Sequence, residues 1–171
     1  MGKYSLSFDT AETPRDVRNL EDFLLRNRGT YNRAIHEQWV AETCIPAIER
    51  GERRALLWQQ AGKVVGDAIV VPLGVDCATI KHFRVAPEEW LARRGMGDFL
   101  MRQAVAEATE MLIDSGSVSS SANAVTLYLD TTLGNPAQTF FERHGFQPVE
   151  YAELYEPGKT EVVMEKMVML A

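Results

Sequence analysis

The sequence predicts an α/β fold (α+β in its arrangement) built on one mixed β-sheet. Three strand-like runs, Arg54–Gln60, Val64–Leu73 and Thr79–Val85, are separated only by short turns, which predicts an antiparallel meander. Strand–helix–strand units follow the meander, and between Gly97 and about Ile113 the apolar residues recur with a 3.6-residue period. A meander followed by such units predicts a mixed sheet with helices on both faces.

The composition predicts an ordinary globular protein with one domain over residues 1–171. Of the 171 residues, 46% are hydrophobic and 25% are charged, which argues against a disordered chain. Apolar runs such as Ala68–Leu73 are too short to span a bilayer, and the start, MGKYSLSFD, lacks the apolar core of a signal peptide. With only Cys44 and Cys77 present, we expect a cytoplasmic protein without a disulfide framework or a metal site.

The charge pattern bears on possible partners. The net charge is −6, and Lys and Arg form no block longer than a pair. A dedicated nucleic-acid surface needs clustered basic residues, so we expect no nucleic-acid partner and, from the short apolar runs, no membrane partner.

The segment before the meander predicts a strand and two helical stretches. Tyr4–Asp9 alternates and indicates a strand, and Thr13 followed by Pro14 is typical of an N-cap and a first helical position. A second helical stretch runs from about Asn32 to Arg50 and is expected to kink or split at Pro46, with Ile35 and Trp39 on its inward side.

The second half predicts one long helix, one short helix and three strands. The apolar stripe of the long helix consists of Gly97, Leu100, Met101, Ala104, Ala108, Met111 and Leu112. Phe99 lies off that stripe, and we expect it to contact a neighbouring helix or a nucleotide. Asn135-Pro136-Ala137-Gln138 predicts a capping box that opens the short helix. The remaining strands are predicted at Val125–Asp130, Phe146–Leu154 and Glu161–Met169, which gives the order β-α-α-β-β-β-α-β-α-β-β.

The loop between Val85 and Gly97 has the features of a pyrophosphate site. A strand ends at Val85, and the long helix begins at Gly97. The first turn of a helix leaves backbone N–H groups without partners, and the helix dipole adds positive potential there. Glycines let a phosphate approach the backbone, and Arg93 and Arg94 add two positive charges.

Two other phosphate-binding motifs do not fit this loop. A Walker-type loop requires Gly-Lys-Ser/Thr, whereas Asp98 and Phe99 follow Gly97. A dinucleotide fingerprint requires a third glycine or a small residue where Leu100 stands. The remaining alternative is that Gly95 and Gly97 only shape a turn.

A second, distant segment favours the pyrophosphate interpretation. Residues 135–146 read Asn-Pro-Ala-Gln-Thr-Phe-Phe-Glu-Arg-His-Gly-Phe. Together with the loop around Gly97, this segment resembles the two signature segments of the GNAT superfamily of N-acetyltransferases. The match of residues covers Phe83–Met101 and Leu129–Phe146, and the match of element order covers nearly the whole chain. The resemblance implies a GNAT-like acyl-CoA N-acyltransferase fold and direct transfer of acetyl from acetyl-CoA to a primary amine of a small molecule or a protein.

The resemblance also implies where coenzyme A would bind. Backbone groups at the end of the strand would pair with the pantetheine arm and the thioester, the loop and first helical turn would hold the pyrophosphate, and the short helix would line the distal part. The acyl group would lie in a V between the strand ending at Val85 and Val125–Asp130. The positions that this carry-over marks as cofactor-binding are Phe83, Arg84, Val85, Arg93, Arg94, Gly95, Met96, Gly97, Asp98, Asn135, Phe140 and Phe141.

Two residues depart from the family pattern. The family's Arg or Gln before the glycines falls on Ala92, so Arg93 or Arg94 would have to replace it. The family's frequent Tyr, which protonates the departing thiolate, is Phe141 here, and a phenyl ring has no proton to donate. Another group or water would have to supply that proton, and Tyr128 and Tyr155 are candidates. The alternative is that the thiolate leaves as the anion.

The general base has one leading candidate, His82, in the strand that feeds the predicted V. Its alternative is a partly buried polar strand residue, and Lys81 beside it is a candidate for substrate contact. His36, Glu37 and Trp39 lie in a region that often borders substrate in this fold, with a solvated helix face and one core aromatic as the alternative. His144 is expected at a helix end, and both cysteines as small buried apolar residues.

Three functions stay open at this level. The first is the N-acetyltransferase, the second a GNAT-fold module that binds acyl-CoA as a sensor or scaffold without turnover, and the third a transferase for longer acyl groups. Phe141 is the main support for the second. A homodimer is a further expectation, because this fold often pairs through exposed sheet edges.

Overall fold

The computed structural model describes residues 6–29, 32–87 and 95–170. Within it the chain forms two compact units, the first made of residues 1–71 and 82–104 and the second of residues 72–81 and 105–171. The expectation of one domain over the whole chain stays a prediction. Arg93 and Arg94, with the rest of residues 88–94, lie outside the described residues.

The first unit contains an antiparallel hairpin with a further strand at its side. Strand β1 (Leu6–Thr10) pairs with β2 (Arg54–Gln60), and β2 pairs with β3 (Lys63–Gly74). Ala61 and Gly62, which connect β2 to β3, have φ angles of 49° and 74°. Two consecutive left-handed residues are typical of the tight turns whose twist matches that of the flanking strands.

Helix α1 (Pro14–Arg26) begins as its sequence predicts. The hydroxyl of Thr13 accepts a hydrogen bond from the Asp16 N–H at 3.2 Å, and Pro14 occupies the first turn. The buried side of the helix packs into an apolar core with β2 and β3, and burying each large aliphatic side chain stabilises the fold by about 1.5–3 kcal/mol. The buried residues of α1 are Val17, Leu20, Phe23 and Leu24.

The predicted break at Pro46 is present as a change of helix type. Helix α2 (Arg33–Trp39) continues into a π-helical segment, Val40–Cys44, and then into α3 (Ile45–Glu49). Pro46 has no N–H to donate to the preceding turn and its ring crowds the carbonyl four residues earlier, so a wider turn before it relieves both problems.

The inward residues of α2 differ from the prediction. Ile35 is 45% exposed, whereas His36 is buried with 4% exposed. Trp39 is half-buried, and Val40 and Cys44 continue the buried side. The expectation that Ile35 faces inward is therefore wrong, and so, for His36, is the alternative of a solvated helix face.

Four further strands complete a mixed seven-stranded sheet. These are β4 (Cys77–Val85), β5 (Ala124–Thr132), β6 (Gln147–Ala152) and β7 (Glu161–Met169), and the strand order is β1-β2-β3-β4-β5-β7-β6. β4 pairs with β5 in parallel, and β7 pairs antiparallel with both β5 and β6. The predicted α/β mixed sheet is confirmed.

The two remaining helices are α4 (Met96–Asp114) and α5 (Ala137–Arg143). The predicted apolar stripe of α4 is buried along its whole length. Phe99, outside that stripe, packs its ring against Phe8 and Trp58 at centroid distances of 5.5 and 5.6 Å, so it contacts β1 and β2. No helix in the described ranges is long and apolar enough to cross a bilayer.

Candidate functional site

His82 on β4 forms a hydrogen-bonded pair with Asp67 on β3. The Nδ1 atom of His82 lies 2.6 Å from Oδ2 of Asp67, and the two side chains are 4% and 0% exposed. Because a carboxylate accepts, the imidazole donates from Nδ1, so in the neutral ring Nε2 is the nitrogen that carries the lone pair. Nε2 is itself buried and has no hydrogen-bond partner among the described residues. The pair thus holds one histidine tautomer with a basic nitrogen available.

Two aromatic side chains from the α2 segment surround His82. The Trp39 ring stacks on the His82 ring at a centroid distance of 6.2 Å, and the His36 ring lies 6.3 Å from it. His36 Nε2 donates to the Leu24 carbonyl at 3.0 Å. Burial in this position holds the pKa of His36 below its ordinary value, although the hydrogen bond to Leu24 acts in the opposite direction, and the charge of Arg84 lowers it slightly further. His36 is therefore neutral near pH 7 and places no charge beside His82.

Arg84, two residues further along β4, contacts the end of α1. Its guanidinium donates to the Asn27 carbonyl, and the same group lies against Gly29, whose φ is 64°. An added Cβ at Gly29 would stand 2.6 Å from Nη1 of Arg84. Helix carbonyls at a carboxyl end carry partial negative charge, so the arginine stabilises this end of α1. The Arg84 side chain is thus engaged inside the first unit, and its predicted cofactor contact is one of the backbone only.

The β3–β4 contact is unusually close at Gly66. A Cβ added there would lie 3.1 Å from the Arg84 carbonyl and 3.6 Å from Cγ2 of Val85. The N–H of Ala86 donates to the Val65 carbonyl at 2.8 Å. Because position 66 is glycine, the backbone of β4 can lie close against β3. This close contact includes Arg84 and Val85, which the resemblance assigns to the pantetheine arm and the thioester.

The amino terminus of α4 has the geometry of an anion site. The Phe99 N–H donates the first helical bond to the Gly95 carbonyl at 2.9 Å, which places Met96, Gly97 and Asp98 in the first turn. Gly95 has a φ of 97°, and no described residue lies within 4 Å of a Cβ added there. Glycine adopts this left-handed conformation without strain, and without a side chain it lets an anion approach the backbone.

The second signature segment has a structural role that the described contacts show directly. Asn135 Oδ1 accepts from the Ala137 N–H at 2.9 Å and so caps α5. The reciprocal half of the predicted capping box is not formed, because the Gln138 side chain donates to Glu142 at 3.0 Å instead. The Asn135 N–H donates to the Thr132 carbonyl.

Phe140 and Phe141 are both buried in the second unit. They are 7% and 6% exposed, and Phe141 contacts the Phe140 and Phe146 rings at centroid distances of 5.6 and 6.4 Å. His144 ends α5 as expected, with its ring 4.6 Å from Phe140. Contact of Asn135, Phe140 and Phe141 with a cofactor stays a prediction.

A second polar cluster lies where the pairing of β4 and β5 ends. Parallel pairing covers Cys77–Thr79 of β4. Two residues further along each strand, Lys81 Nζ donates to Asp130 Oδ1 at 3.3 Å and also to the Tyr155 hydroxyl, which in turn donates to Asp130 Oδ1 at 2.8 Å. The Lys81 and Asp130 side chains are 30% and 8% exposed. The candidates Lys81 and Tyr155 are thus brought together by an acid that the sequence analysis did not consider.

Asp67 and Asp130 are the two residues that sequence reasoning missed. Asp67 interrupts the apolar run of β3, and a strand covered on both faces buries a carboxylate only with a partner, so the interruption was itself a signal. The expectation that both cysteines are buried is confirmed for Cys44 and wrong for Cys77, which is partly exposed. Burial raises the pKa of the Cys44 thiol to about 12. Among the described residues no cluster of His, Cys, Asp or Glu could hold a metal ion.

Solved structures show that the fold is that of GNAT acetyltransferases. An acetyltransferase of the GNAT family from Staphylococcus aureus superposes with a TM-score of 0.67 at 16% identity, over 95% of this chain and 99% of that chain. For the ribosomal-protein-S18-alanine N-acetyltransferase from Escherichia coli the TM-score is 0.66 at 18% identity, over 98% and 96%. For an aminoglycoside 6'-N-acetyltransferase complexed with coenzyme A it is 0.70 at 15% identity, over 98% of each chain. No protein-family model and no curated protein matches the sequence.

Proposed function

We propose that the chain is an N-acetyltransferase that moves the acetyl group of acetyl-CoA to a primary amine of a small molecule or a protein. The observation that carries the proposal is the buried Asp67–His82 pair, because it sets a base with a fixed tautomer on the strand that the resemblance places beside the thioester. The fold shared with acetyltransferases of known structure supports it.

The residues at the start of α4 fit the diphosphate of coenzyme A. The first-turn amides of Met96, Gly97 and Asp98 and the accessible backbone of Gly95 would hold it, and the helix dipole favours the negative charge. The backbone of Phe83, Arg84 and Val85 would hold the pantetheine arm. Arg93 and Arg94 are proposed to add positive charge to the same loop. Acetyl-CoA supplies an activated acyl group, a thioester, to the site.

His82 would take the proton that the acceptor amine must lose. An amine that binds as ammonium becomes a nucleophile only after deprotonation, and Nε2 of His82 is the atom positioned to accept the proton. Because Nε2 is buried, substrate binding would have to open a path by which the amine or one water reaches it. Asp67 keeps the proton on Nδ1 and stabilises the imidazolium that forms, as a carboxylate does in a catalytic triad.

A second candidate function is an acyl-CoA-binding module without turnover, and Phe141 favours it. The family's proton donor falls on this residue, and its ring is buried against Phe140 and Phe146. No donor from position 141 can reach a thiolate. Under the main proposal the thiolate leaves as the anion or is protonated by water.

The experiment that separates the two is calorimetry followed by thiol detection. We expect coenzyme A to bind saturably to the purified protein, and acetyl-CoA with a panel of primary amines to release free thiol. Saturable binding without release for any amine would favour the non-catalytic module. No heat at millimolar coenzyme A would overturn both.

A further inference from the structure

The second unit contains a small depression whose floor is charged and whose walls are apolar. Its volume is about 300 Å³, at the lower end of the range for small-molecule sites. The residues that line it are Leu73, Thr79, Lys81, Tyr128, Leu129, Asp130, Leu154 and Val163. We propose that this depression binds a free α-amino acid with an apolar side chain. The proposal concerns binding, and it rests on the depression alone.

Asp130 supplies an unsatisfied acceptor at the floor. Its Oδ1 atom accepts from both Lys81 and Tyr155, whereas Oδ2 accepts no hydrogen bond from any described residue. A carboxylate oxygen without a donor from the chain can accept a charge-assisted hydrogen bond from a cationic N–H group. This oxygen points to the ammonium of a ligand.

Lys81 supplies the complementary donor. An ammonium carries three N–H groups, and those of Lys81 have two acceptors, Asp130 Oδ1 and the Tyr155 hydroxyl. The third N–H is left for a ligand, and 30% of the side chain is exposed at the depression. A carboxylate is the group that gains most from a charge-assisted bond to it.

The combined charge of the floor selects a zwitterion. Lys81 and Asp130 cancel, so a ligand with a single charge gains from one residue and is repelled by the other at nearly the same distance. In an α-amino acid one carbon joins the ammonium-bearing and carboxylate-bearing groups, and this short spacing matches the 3.3 Å between Lys81 Nζ and Asp130 Oδ1. Each ligand charge can then lie next to its opposite.

The walls select an apolar side chain. Leu73, Leu129, Leu154 and Val163 give the depression an aliphatic lining, and the exposed fractions of Leu73 and Leu154 are 56% and 44%. Covering aliphatic surface of this kind is worth about 25 cal/mol for each Å² removed from water. Leucine is therefore the probe of choice, and glycine, aspartate and lysine should bind more weakly.

The test is calorimetry on the full chain, without coenzyme A, using L-leucine and three matched probes. L-Leucinamide lacks the carboxylate, 4-methylpentanoate lacks the ammonium, and 6-aminohexanoate carries both charges far apart. We expect the Kd of leucine to be at least about tenfold lower than that of each matched probe, which is the loss of one charge-assisted hydrogen bond. Equal affinity for leucinamide would overturn the proposal in favour of an amine site for peptide amino termini. The absence of heat for every probe would overturn it entirely.

Variants test whether the heat of leucine binding comes from this depression. Asp130→Asn should weaken leucine binding by at least about tenfold, and Lys81→Gln, which removes the ammonium that faces the ligand carboxylate, should do the same. Glu153→Gln removes a carboxylate charge from an exposed position on the loop that carries Tyr155 and does not line the depression, and it should leave the Kd within about twofold. If Asp130→Asn fails to fold, Lys81→Gln decides the question. Unchanged affinity in the Lys81 variant would then contradict the proposal. Since coenzyme A takes no part, this result is independent of the calorimetry with coenzyme A.

Discussion

Asp67 and His82 lie on neighbouring strands, and their side chains meet with Oδ2 of the acid 2.6 Å from Nδ1 of the imidazole. Neither side chain has appreciable contact with solvent. A carboxylate in such a position is stable only with its partner, so the pair is a structural unit as well as a candidate for proton transfer.

Changing either member of this pair should separate the two roles. His82→Gln should lower the rate of thiol release by at least about 100-fold, because general base catalysis contributes about that much, and should leave the Kd of coenzyme A unchanged. Asp67→Asn removes a hydrogen bond to a charged group and should lower the free energy of unfolding by about 2–3 kcal/mol as well as the rate. Rates and urea unfolding measure both effects. His144→Gln, on α5, is the matched control, and an equal loss of rate there would contradict the assignment.

The anion site at the start of α4 can be tested with a pair of variants that differ only in charge. Gly95→Asp and Gly95→Asn have the same shape and the same backbone strain at a φ of 97°, and no described residue lies within 4 Å of a new Cβ. We expect the Kd of coenzyme A to be at least about tenfold higher for the Asp variant than for the Asn variant, since only the former repels a diphosphate. Equal constants would place the diphosphate elsewhere.

The Cys44 thiol should make the protein less stable at alkaline pH. Burial raises its pKa from 9.0 to about 12, so the folded state favours the protonated thiol. The stability that this provides is complete below pH 9 and is lost as the pH rises through the folded pKa. Between pH 8.5 and pH 10 the free energy of unfolding should fall by about 1 kcal/mol more than in Cys44→Ala, as measured by urea unfolding. The same slope in both proteins would show that the thiol is not the cause.

His36 should make the protein less stable at acid pH, whereas Cys44 does so at alkaline pH. Burial lowers its pKa, so the folded state favours the neutral ring, and this contribution is present above pH 6.5 and is lost as the pH falls through the folded pKa. His36→Gln keeps a donor for the Leu24 carbonyl but does not titrate. Thermal unfolding at pH 7 and pH 5 should therefore show a smaller decrease in Tm for the variant than for the parent protein. An equal decrease would assign the acid sensitivity to other groups.

Local signals in the sequence were sufficient for most of the elements. Thr13 and Pro14 define the start of α1, and the predicted limits of β2 and of the last strand, Glu161–Met169, agree with the structure. In these segments the cap, the turn and the apolar pattern all depend on residues close together in the chain. The apolar stripe of α4 could be predicted from the sequence for the same reason.

The site residues depend on contacts that no local pattern contains. A solvated helix face was the alternative considered for His36, yet the residue is buried because a carbonyl of α1, at Leu24, satisfies its Nε2. Asp67 and His82 are fifteen positions apart and meet only through the placement of β3 beside β4. Asp130 gains its significance from Lys81 and Tyr155, which come from two other parts of the chain.

The wide turn at Val40–Cys44 has a consequence for comparing this chain with others. A π-helical turn holds one residue more than regular helix, and one residue corresponds to a rotation of about 100° around a helix axis. The number of residues before Pro46 therefore determines the direction in which the Trp39 and His36 side chains point. The identity of the residues in that turn has a smaller influence. A relative that lacked one residue here would turn a different side of its helix toward the histidine–aspartate pair, even if the rest of its sequence were very similar.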